Sequence, residues 1–313
     1  MAIRIAEEWL NICGGCEMTM LDIGEPLLDL LEKIEIVHMP FLMDSKYLDP
    51  SGDPDKIEIP EADIGLISGG VRNEKEKHVA EEMRKKCKKL VALGTCACYG
   101  GIPAMANMWP KAGLMEKVFR GCKTTEAAAD PAEKNLPPLT DRVMAVDEVV
   151  KVDAMIPGCP TSPDWIVEAL LALIDGKPWS LPDRSVCDVC PSKREKKAGG
   201  TLKRTLEPVA CEIPGKLDTM LCLMEQGFLC LGPVTKAGCG GNEKTPRCIK
   251  GLMPCRGCMG PVRKGANPMV DMMGALSSIG LDAKTLLDRR AIFNRYVGGH
   301  NLLRPLPQPP VRR

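Results

Sequence analysis

Residues 63–93 read Asp63-Ile-Gly-Leu-Ile-Ser68, then Gly69-Gly70, then a run of helix-forming residues from Glu74 to Lys88, and then Lys89-Leu-Val-Ala-Leu93. A short apolar segment that stops at a glycine is typical of a strand buried within a sheet. The charged run between the two segments favours a helix. We therefore predict a strand–helix–strand unit here, and units of this kind connect parallel strands.

Similar segments precede and follow this unit. Further strands are predicted at Ile3–Ala6, Ile34–Met39 and Asp153–Ile156, and helices at residues 18–33 and Ser162–Asp175. The last helix has Ser162 as its predicted N-cap, Pro163 at its first position and Gly176 just beyond its end. This alternation predicts the α/β class, with a flavodoxin-like doubly wound parallel sheet and helices on both of its faces.

The character of the sequence changes near residue 178. Beyond this point Pro, Gly, Lys and Cys dominate, and nine of the sixteen cysteines lie between Cys187 and Cys258. Few large apolar residues are available here to offset the entropy of ordering the chain by burial alone. We therefore predict two domains: residues 1–178 with the sheet, and residues 179–313 as a coil-rich domain that bound metal stabilises, ending in an extended Pro-rich tail over Pro305–Pro310.

Composition excludes several classes of function. Lys and Arg together number 42 and Asp and Glu 41, so no excess of positive charge favours nucleic acid or an anionic membrane surface. No apolar run is long enough to span a membrane, and the first residues do not resemble a leader peptide. We therefore expect a cytoplasmic chain whose sixteen cysteines stay reduced, which favours bound metal over disulfides.

The first group of cysteines comes from three separate loops. These are Cys13-Gly-Gly-Cys16, Gly94-Thr-Cys96 and Pro157-Gly-Cys159-Pro160, each placed after a predicted strand. Ligands of parallel sheets bind at the carboxyl ends of the strands, so we expect the four thiols to converge. Four thiolates suit a tetrahedral metal ion or a cubane cluster. For the Cys-x-x-Cys pair alone, zinc and a thioredoxin-like redox pair remain alternatives, whereas an FMN site is disfavoured because the first loop is not rich in Ser or Thr.

The second group of cysteines lies in the C-terminal part. It comprises Cys187-Asp-Val-Cys190, Cys222, Cys230, Cys239, Cys248 and Cys255-Arg-Gly-Cys258. These eight thiols are enough for two centres with four thiolate ligands each. Structural zinc sites and iron–sulfur clusters both use Cys-x-x-Cys pairs, so the spacing alone leaves both open.

In combination, these motifs resemble those of NiFe-hydrogenase small subunits. The resemblance spans residues 1 to 262 and rests on Cys13-Gly-Gly-Cys16-Glu17, Gly94-Thr-Cys96-Ala-Cys-Tyr-Gly-Gly101, Pro157-Gly-Cys159-Pro160, Cys230-Leu-Gly-Pro233 and Pro254-Cys255-Arg-Gly-Cys258. Within that family, the methyl-viologen-reducing hydrogenases of methanogens have close counterparts of further segments, namely Leu42-Met-Asp-Ser-Lys-Tyr47, Gly69-Gly70-Val71, Gly100–Trp109 and Cys222–Cys230.

The resemblance implies three 4Fe–4S clusters. The proximal cluster would be held by Cys13, Cys16, Cys96 and Cys159, the distal cluster by Cys187, Cys190, Cys222 and Cys230, and the medial cluster by Cys239, Cys248, Cys255 and Cys258. Four cysteines are then left without a role: Cys87, Cys98, Cys122 and Cys211. Many relatives have histidine in the place of Cys187, and many have a three-iron medial cluster where Cys248 here supplies a fourth thiol. An extra thiolate lowers the potential of its cluster.

The resemblance also implies a function and partners. The chain would relay electrons from hydrogen oxidation at a NiFe site on a separate large subunit, and would have no catalytic residues of its own. The acceptor would be a 2Fe–2S subunit leading to a flavin-based, electron-bifurcating heterodisulfide reductase. The open alternatives are the small subunit of a deazaflavin-reducing hydrogenase or a sulfhydrogenase, a quinone-side subunit like that of complex I, and a zinc-stabilised interaction module. The complex-I type usually has adjacent paired cysteines, which Gly15-Cys16 does not provide.

Overall fold

A computed structural model describes residues 2–44, 57–123, 126, 136–203 and 207–305. Of the segments singled out above, residues 45–47 and the tail beyond Pro305 lie outside these ranges. The strands are β1 (Ile3–Trp9), β2 (Ile34–His38), β3 (Ala62–Ser68), β4 (Val71–Asn73), β5 (Cys87–Leu93), β6 (Leu139–Met144), β7 (Ala154–Ile156), β8 (Gly200–Thr201) and β9 (Leu281–Asp282).

The helices are short. They are α1 (Gly15–Leu21), α2 (Pro26–Leu31), α3 (Glu74–Lys86), α4 (Gly94–Tyr99), α5 (Lys111–Phe119), α6 (Pro163–Ile174), α7 (Arg247–Lys250), α8 (Pro268–Ile279) and α9 (Arg289–Phe293). Single 3-10 turns cover Pro103–Met108, Val146–Glu148, Val186–Val189, Leu217–Thr219, Gly232–Val234, Gly241–Glu243 and Ala283–Thr285. Within the described ranges, no helix combines the length and apolar character needed to cross a membrane.

Five strands form one parallel sheet in the order β2-β1-β3-β5-β7. Counted along the sheet's own strands this is 2-1-3-4-5, the order of flavodoxin-like folds, so the predicted fold class is confirmed. The register places Leu66 of β3 opposite Val91 of β5, and Leu93 opposite Ile156 of β7. Because all five strands run the same way, the loops that follow β1, β5 and β7 meet at one edge of the sheet.

Helices cover both faces of this sheet. Leu66, Val91 and Leu93 pack on one side with apolar residues of α1, α2 and α6. Leu90 and Ala92 point to the opposite side and pack with α3 and α4. Successive residues of β5 thus serve opposite cores, as expected for a strand that is buried on both faces.

The structure corrects one predicted helix. Residues 18–33 form two helices, α1 and α2, rather than one. Gly24 has a φ of 71° and Pro26 is the first residue of α2, so the chain turns between the helices where glycine tolerates the left-handed conformation and proline favours a new start. Ser162 does cap α6, with an extended backbone, but its side chain accepts no hydrogen bond from the helix.

The C-terminal part contains a hydrophobic core that the sequence pattern did not indicate. Met220, Leu223 and Ile249 are among its fully buried side chains, and α8 packs on them through Met272 and Leu276. Met220 and Leu223 come from irregular segments and Ile249 from the four-residue helix α7, so these three show no periodicity. The chain then returns to the sheet domain: Val297 forms a bridge with Gly101. The boundary at residue 178 stays a prediction.

Candidate metal centres

The four thiols of the predicted proximal group lie in the loops that follow β1, β5 and β7. Gly94 and Gly101 let these loops approach closely. A Cβ added at Gly94 would overlap the sulfur of Cys16, and one added at Gly101 would lie 2.5 Å from the sulfur of Cys96. Both glycines have a positive φ, of 79° and 52°. A residue with a side chain would therefore be strained there and would also displace a thiol.

The pKa shifts of Cys16 and Cys96 indicate that the four thiols lie close to one another. Burial raises the pKa of the Cys16 thiol, and Glu17 and the thiols of Cys96, Cys159 and Cys13 raise it further. Burial likewise raises the pKa of Cys96 to about 12, with Cys159 as the next cause. A convergent set of four thiols, three of them half-buried, suits a cation that displaces the protons, because metals bind the thiolate form.

The predicted distal thiols form a second set in the C-terminal part. Cys187 is a surface residue, but its sulfur is turned inward: a Cβ added at Gly232 would lie 3.1 Å from the sulfur of Cys187 and 3.5 Å from that of Cys230. Burial raises the pKa of Cys187 to about 12, and the thiols of Cys230, Cys190 and Cys222 add to the effect.

The predicted medial thiols form a third set. Burial raises the pKa of Cys258 to about 12, and the thiols of Cys239 and Cys248 raise it further. Burial also raises the pKa of Cys255, whose thiol neighbours are Cys230 of the distal set and Cys258 of the medial set. Cys255 therefore lies between the two C-terminal sets.

Close approaches connect neighbouring sets. Cys159 in the proximal set lies near enough to Cys258 in the medial set to affect the pKa of the Cys258 thiol. The N–H of Cys255 in the medial set donates to the sulfur of Cys230 in the distal set at 3.2 Å. The three sets thus follow one another in the order proximal, medial, distal, with direct contact at each junction.

Four cysteines and the histidines are not assigned to these sets. Burial raises the pKa of Cys98, and the thiol of Cys16, Asp147 and the thiol of Cys96 raise it further, so Cys98 lies near the proximal set. Cys98 is fully buried, and its sulfur donates to the carbonyl of Ala92 at 3.4 Å within the core. Cys87 is buried, Cys122 is exposed and Cys211 packs on the C-terminal core. His38 is paired with Glu8, and His300 with Asp147 at 2.6 Å.

Among the described residues, which include all sixteen cysteines, no disulfide bond forms. Considering only this same part of the chain, no three or more His, Cys, Asp or Glu side chains are grouped so as to hold a single metal ion.

Two buried glutamates near the proximal thiols were not predicted. Glu7 has no exposed surface, and neither carboxylate oxygen has a hydrogen-bond partner among the described residues. Burial raises the pKa of Glu7 to about 9, and Glu17 and Glu8 raise it further. Glu17 accepts a hydrogen bond from the hydroxyl of Ser68. The sequence signal for Glu7 was the adjacent pair Glu7-Glu8 in strand β1, whose other residues are mostly apolar.

Comparisons with known proteins show the family to which the chain is related. The family model described as NADH ubiquinone oxidoreductase, 20 Kd subunit, matches residues 13–173. A vhu subunit of the F420-non-reducing hydrogenase of Methanocaldococcus jannaschii is 37% identical over 297 residues, which cover 95% of each chain. The corresponding F420-non-reducing hydrogenase chain of Methanothermobacter marburgensis is 38% identical over 88% of this chain and 84% of its own.

A solved structure shares the fold of the sheet domain and the family. A chain of the NAD+-reducing [NiFe]-hydrogenase in its H2-reduced state superposes with a TM-score of 0.51 at 34% identity, over 57% of this chain and 96% of that one. The relatives above extend the match through the C-terminal cysteines. The chain therefore belongs to the family of NiFe-hydrogenase small subunits, and it is a hydrogenase subunit of the oxidoreductase class.

Proposed function

We propose that the chain carries electrons between a hydrogenase large subunit and an iron–sulfur acceptor, through three 4Fe–4S clusters held by the proximal, medial and distal thiols. Such clusters, when bound, accept and release single electrons at potentials that the surrounding protein adjusts. The donor sets fit: each has four thiols, and glycines beside the proximal and distal thiols leave the space that side chains would fill. The chain's own residues would ligate the clusters, set the distances between them and shield them from water.

The observation that carries this proposal is the continuity of the three sets. Cys159 and Cys258 meet at the first junction, and Cys255 and Cys230 at the second. Isolated structural zinc sites have no need for such contact. A relay does, because electrons must pass from one centre to the next through the protein between them.

The surface around the proximal thiols fits a large-subunit partner. Cys13 is exposed there. Trp9 at the end of β1, Met18 in α1 and Ile102 after α4 also lie toward this edge of the sheet and are 38%, 58% and 43% exposed. The ring of Trp9 packs on Phe41 with centroids 6.3 Å apart. Large apolar side chains left at the surface beside a functional site are typical of a protein interface.

The surface around the distal thiols fits a different partner. A basic segment, Lys193-Arg-Glu-Lys-Lys197, follows Cys190. Its backbone is fixed to the distal set, because Cys222 donates its N–H to the carbonyl of Lys193 at 2.7 Å. Positive charge at this site would steer an acidic acceptor protein toward the surface residue Cys187. We propose that this acceptor is a 2Fe–2S subunit leading to heterodisulfide reductase in the cytoplasm.

Metal analysis of anaerobically purified protein tests the cluster content. We expect about twelve iron and twelve sulfide per chain, from three clusters of four each. The Cys122→Ser variant is the control and should retain all of the iron, because Cys122 lies outside the three sets. Stoichiometric zinc with little iron would contradict the proposal and support the zinc-stabilised module.

Co-purification with mass spectrometry tests the partners. A tagged chain should retain a hydrogenase large subunit, together with an iron–sulfur acceptor. Reversing the charge of the basic segment with Lys196→Glu and Lys197→Glu should release the acceptor at lower salt and leave the large subunit bound. Retention of a deazaflavin-dependent or sulfur-reducing partner instead would favour the alternative hydrogenase classes.

A further inference from the structure

Thr95 connects three of the cysteine loops through its hydroxyl group. The side-chain oxygen donates a hydrogen bond to the backbone carbonyl of Cys258 at 2.5 Å and accepts one from the backbone N–H of Gly158 at 2.9 Å. The N–H of Thr95 donates to the carbonyl of Gly158 at 2.8 Å. The residue is 1% exposed, so water cannot replace these bonds.

Thr95 lies between two residues that contact or belong to the proximal set. Its neighbours in sequence are Gly94, which touches Cys16, and Cys96 of the proximal set. Gly158 precedes Cys159 of the proximal set, and Cys258, whose carbonyl Thr95 contacts, belongs to the medial set. The hydroxyl of Thr95 therefore holds together the two loops whose cysteines meet at the junction between the proximal and medial sets.

We propose that Thr95 is a positioning residue that fixes the contact between Cys159 and Cys258, and so sets the rate at which electrons pass between the proximal and medial centres. This inference rests on the proposed function, because it assumes a cluster in each set. Thr95 itself has no ligand atom toward either cluster. It acts by joining the loop that carries Cys96 to those that carry Cys159 and Cys258.

Other hydrogen bonds near the medial set hold the sheet and the C-terminal part together without Thr95. Trp165 donates from Nε1 to the carbonyl of Gly238 at 2.6 Å, and Asp164 accepts from the N–H of Asn242 at 2.9 Å. These bonds join α6 to the loop of Cys239 and do not involve Thr95. A variant that loses only the hydroxyl should therefore keep the sheet and the C-terminal part together while the loop of Cys258 gains freedom.

Two substitutions separate the hydroxyl from the shape of the side chain. Thr95→Val keeps the volume and removes both hydroxyl bonds, whereas Thr95→Ser keeps the hydroxyl and removes a methyl group. Each variant is purified anaerobically with its large subunit. Iron is counted, the reduced protein is examined by electron paramagnetic resonance, and amide exchange is followed by mass spectrometry in the peptide that contains Gly158.

For Thr95→Val we expect wild-type iron and faster exchange of the Gly158 amide. We also expect loss of the magnetic splitting between the reduced proximal and medial clusters, and slower reduction of the medial cluster by hydrogen. Thr95→Ser should restore wild-type behaviour in all of these. Unchanged splitting in Thr95→Val overturns the inference, and so does iron loss confined to that variant, because Thr95 would then retain a cluster rather than set a spacing. Failure of the proposed function appears separately, as wild-type protein that lacks these clusters.

Discussion

Gly94 lies against the sulfur of Cys16, with no space between them for a Cβ atom. Gly94 also has a φ of 79°, which costs a residue with a side chain about 1–2 kcal/mol. Gly94→Ala should therefore displace Cys16 and disrupt the proximal thiols. We expect the variant to lose about four of twelve iron per chain, as measured by elemental analysis.

Gly176→Ala is the matched control for that variant. Gly176 has a similar φ of 75°, but a Cβ added there would meet nothing within 4 Å. The control shares the backbone cost without the clash, so it should lose some stability and keep its iron. Equal iron loss in both variants would mean that backbone strain, rather than contact with Cys16, explains the result.

Glu7 should make the protein less stable as the pH rises. Its pKa is about 9 in the folded protein against a usual value of 4.5, so the folded state binds the proton more tightly than the unfolded state. The stabilising effect of that proton is complete below pH 4.5 and decreases as the pH rises toward 9. Glu7→Gln stays neutral at every pH. Anaerobic urea unfolding should show a smaller loss of stability from about pH 6 to pH 8 in the variant.

Glu35→Gln provides the comparison for Glu7. Glu35 lies in the neighbouring strand β2 and is exposed. Because Glu35 is exposed, the substitution should leave the pH dependence of wild type in place. If Glu7→Gln retained that dependence as well, another group in the molecule would have to account for it.

The strands of the sheet could be predicted because each is a short apolar run with a glycine or a charged segment at its end. The helix α4 could not, because Gly94–Tyr99 is six residues long and rich in cysteine and glycine rather than in helix formers. The helix α8, which was not predicted, does have sequence signals: Asn267 caps it by accepting the N–H groups of Met269 and Val270, and Gly280 ends it.

The candidate sites, like the fold, could be predicted from the sequence only in part. The first four cysteines could be expected to converge because their loops each follow a predicted strand, whereas the division of the eight C-terminal cysteines into two sets came from the family resemblance. The roles of Thr95 and Glu7 depend on residues far away in the chain. Thr95 bonds to Cys258, 163 positions away, and no local pattern encodes that contact. The roles of such residues can be recognised only when the positions of the loops in the fold are known.

Cys248→Pro should convert the medial cluster to a three-iron form. Cys248 is the second residue of α7, where a backbone N–H has no partner within the helix, so proline is tolerated there. With one thiolate removed, one iron loses its ligand and is the easiest to lose. Electron paramagnetic resonance of the oxidised variant should show a new three-iron signal, and the medial potential should rise.

Cys211→Ser is the control for that variant. Cys211 packs against the C-terminal core and is not one of the predicted medial thiols, so its replacement should leave every cluster with four irons. If Cys248→Pro kept three four-iron clusters and Cys211→Ser did not, Cys211 would be the ligand and the medial set would need reassignment.

Cys187→His should keep a distal four-iron cluster, because imidazole can replace thiolate as a ligand of iron–sulfur clusters. A neutral imidazole removes one negative charge, so the distal potential should rise. Hydrogen uptake with methyl viologen should slow, whereas hydrogen–deuterium exchange, which needs only the NiFe site of the large subunit, should be nearly unchanged.

Cys13→Ser should lower that exchange, because Cys13 lies on the opposite side of the relay, at the face proposed for the large subunit. Equal effects of the two variants on exchange would show that the proximal and distal assignments are wrong.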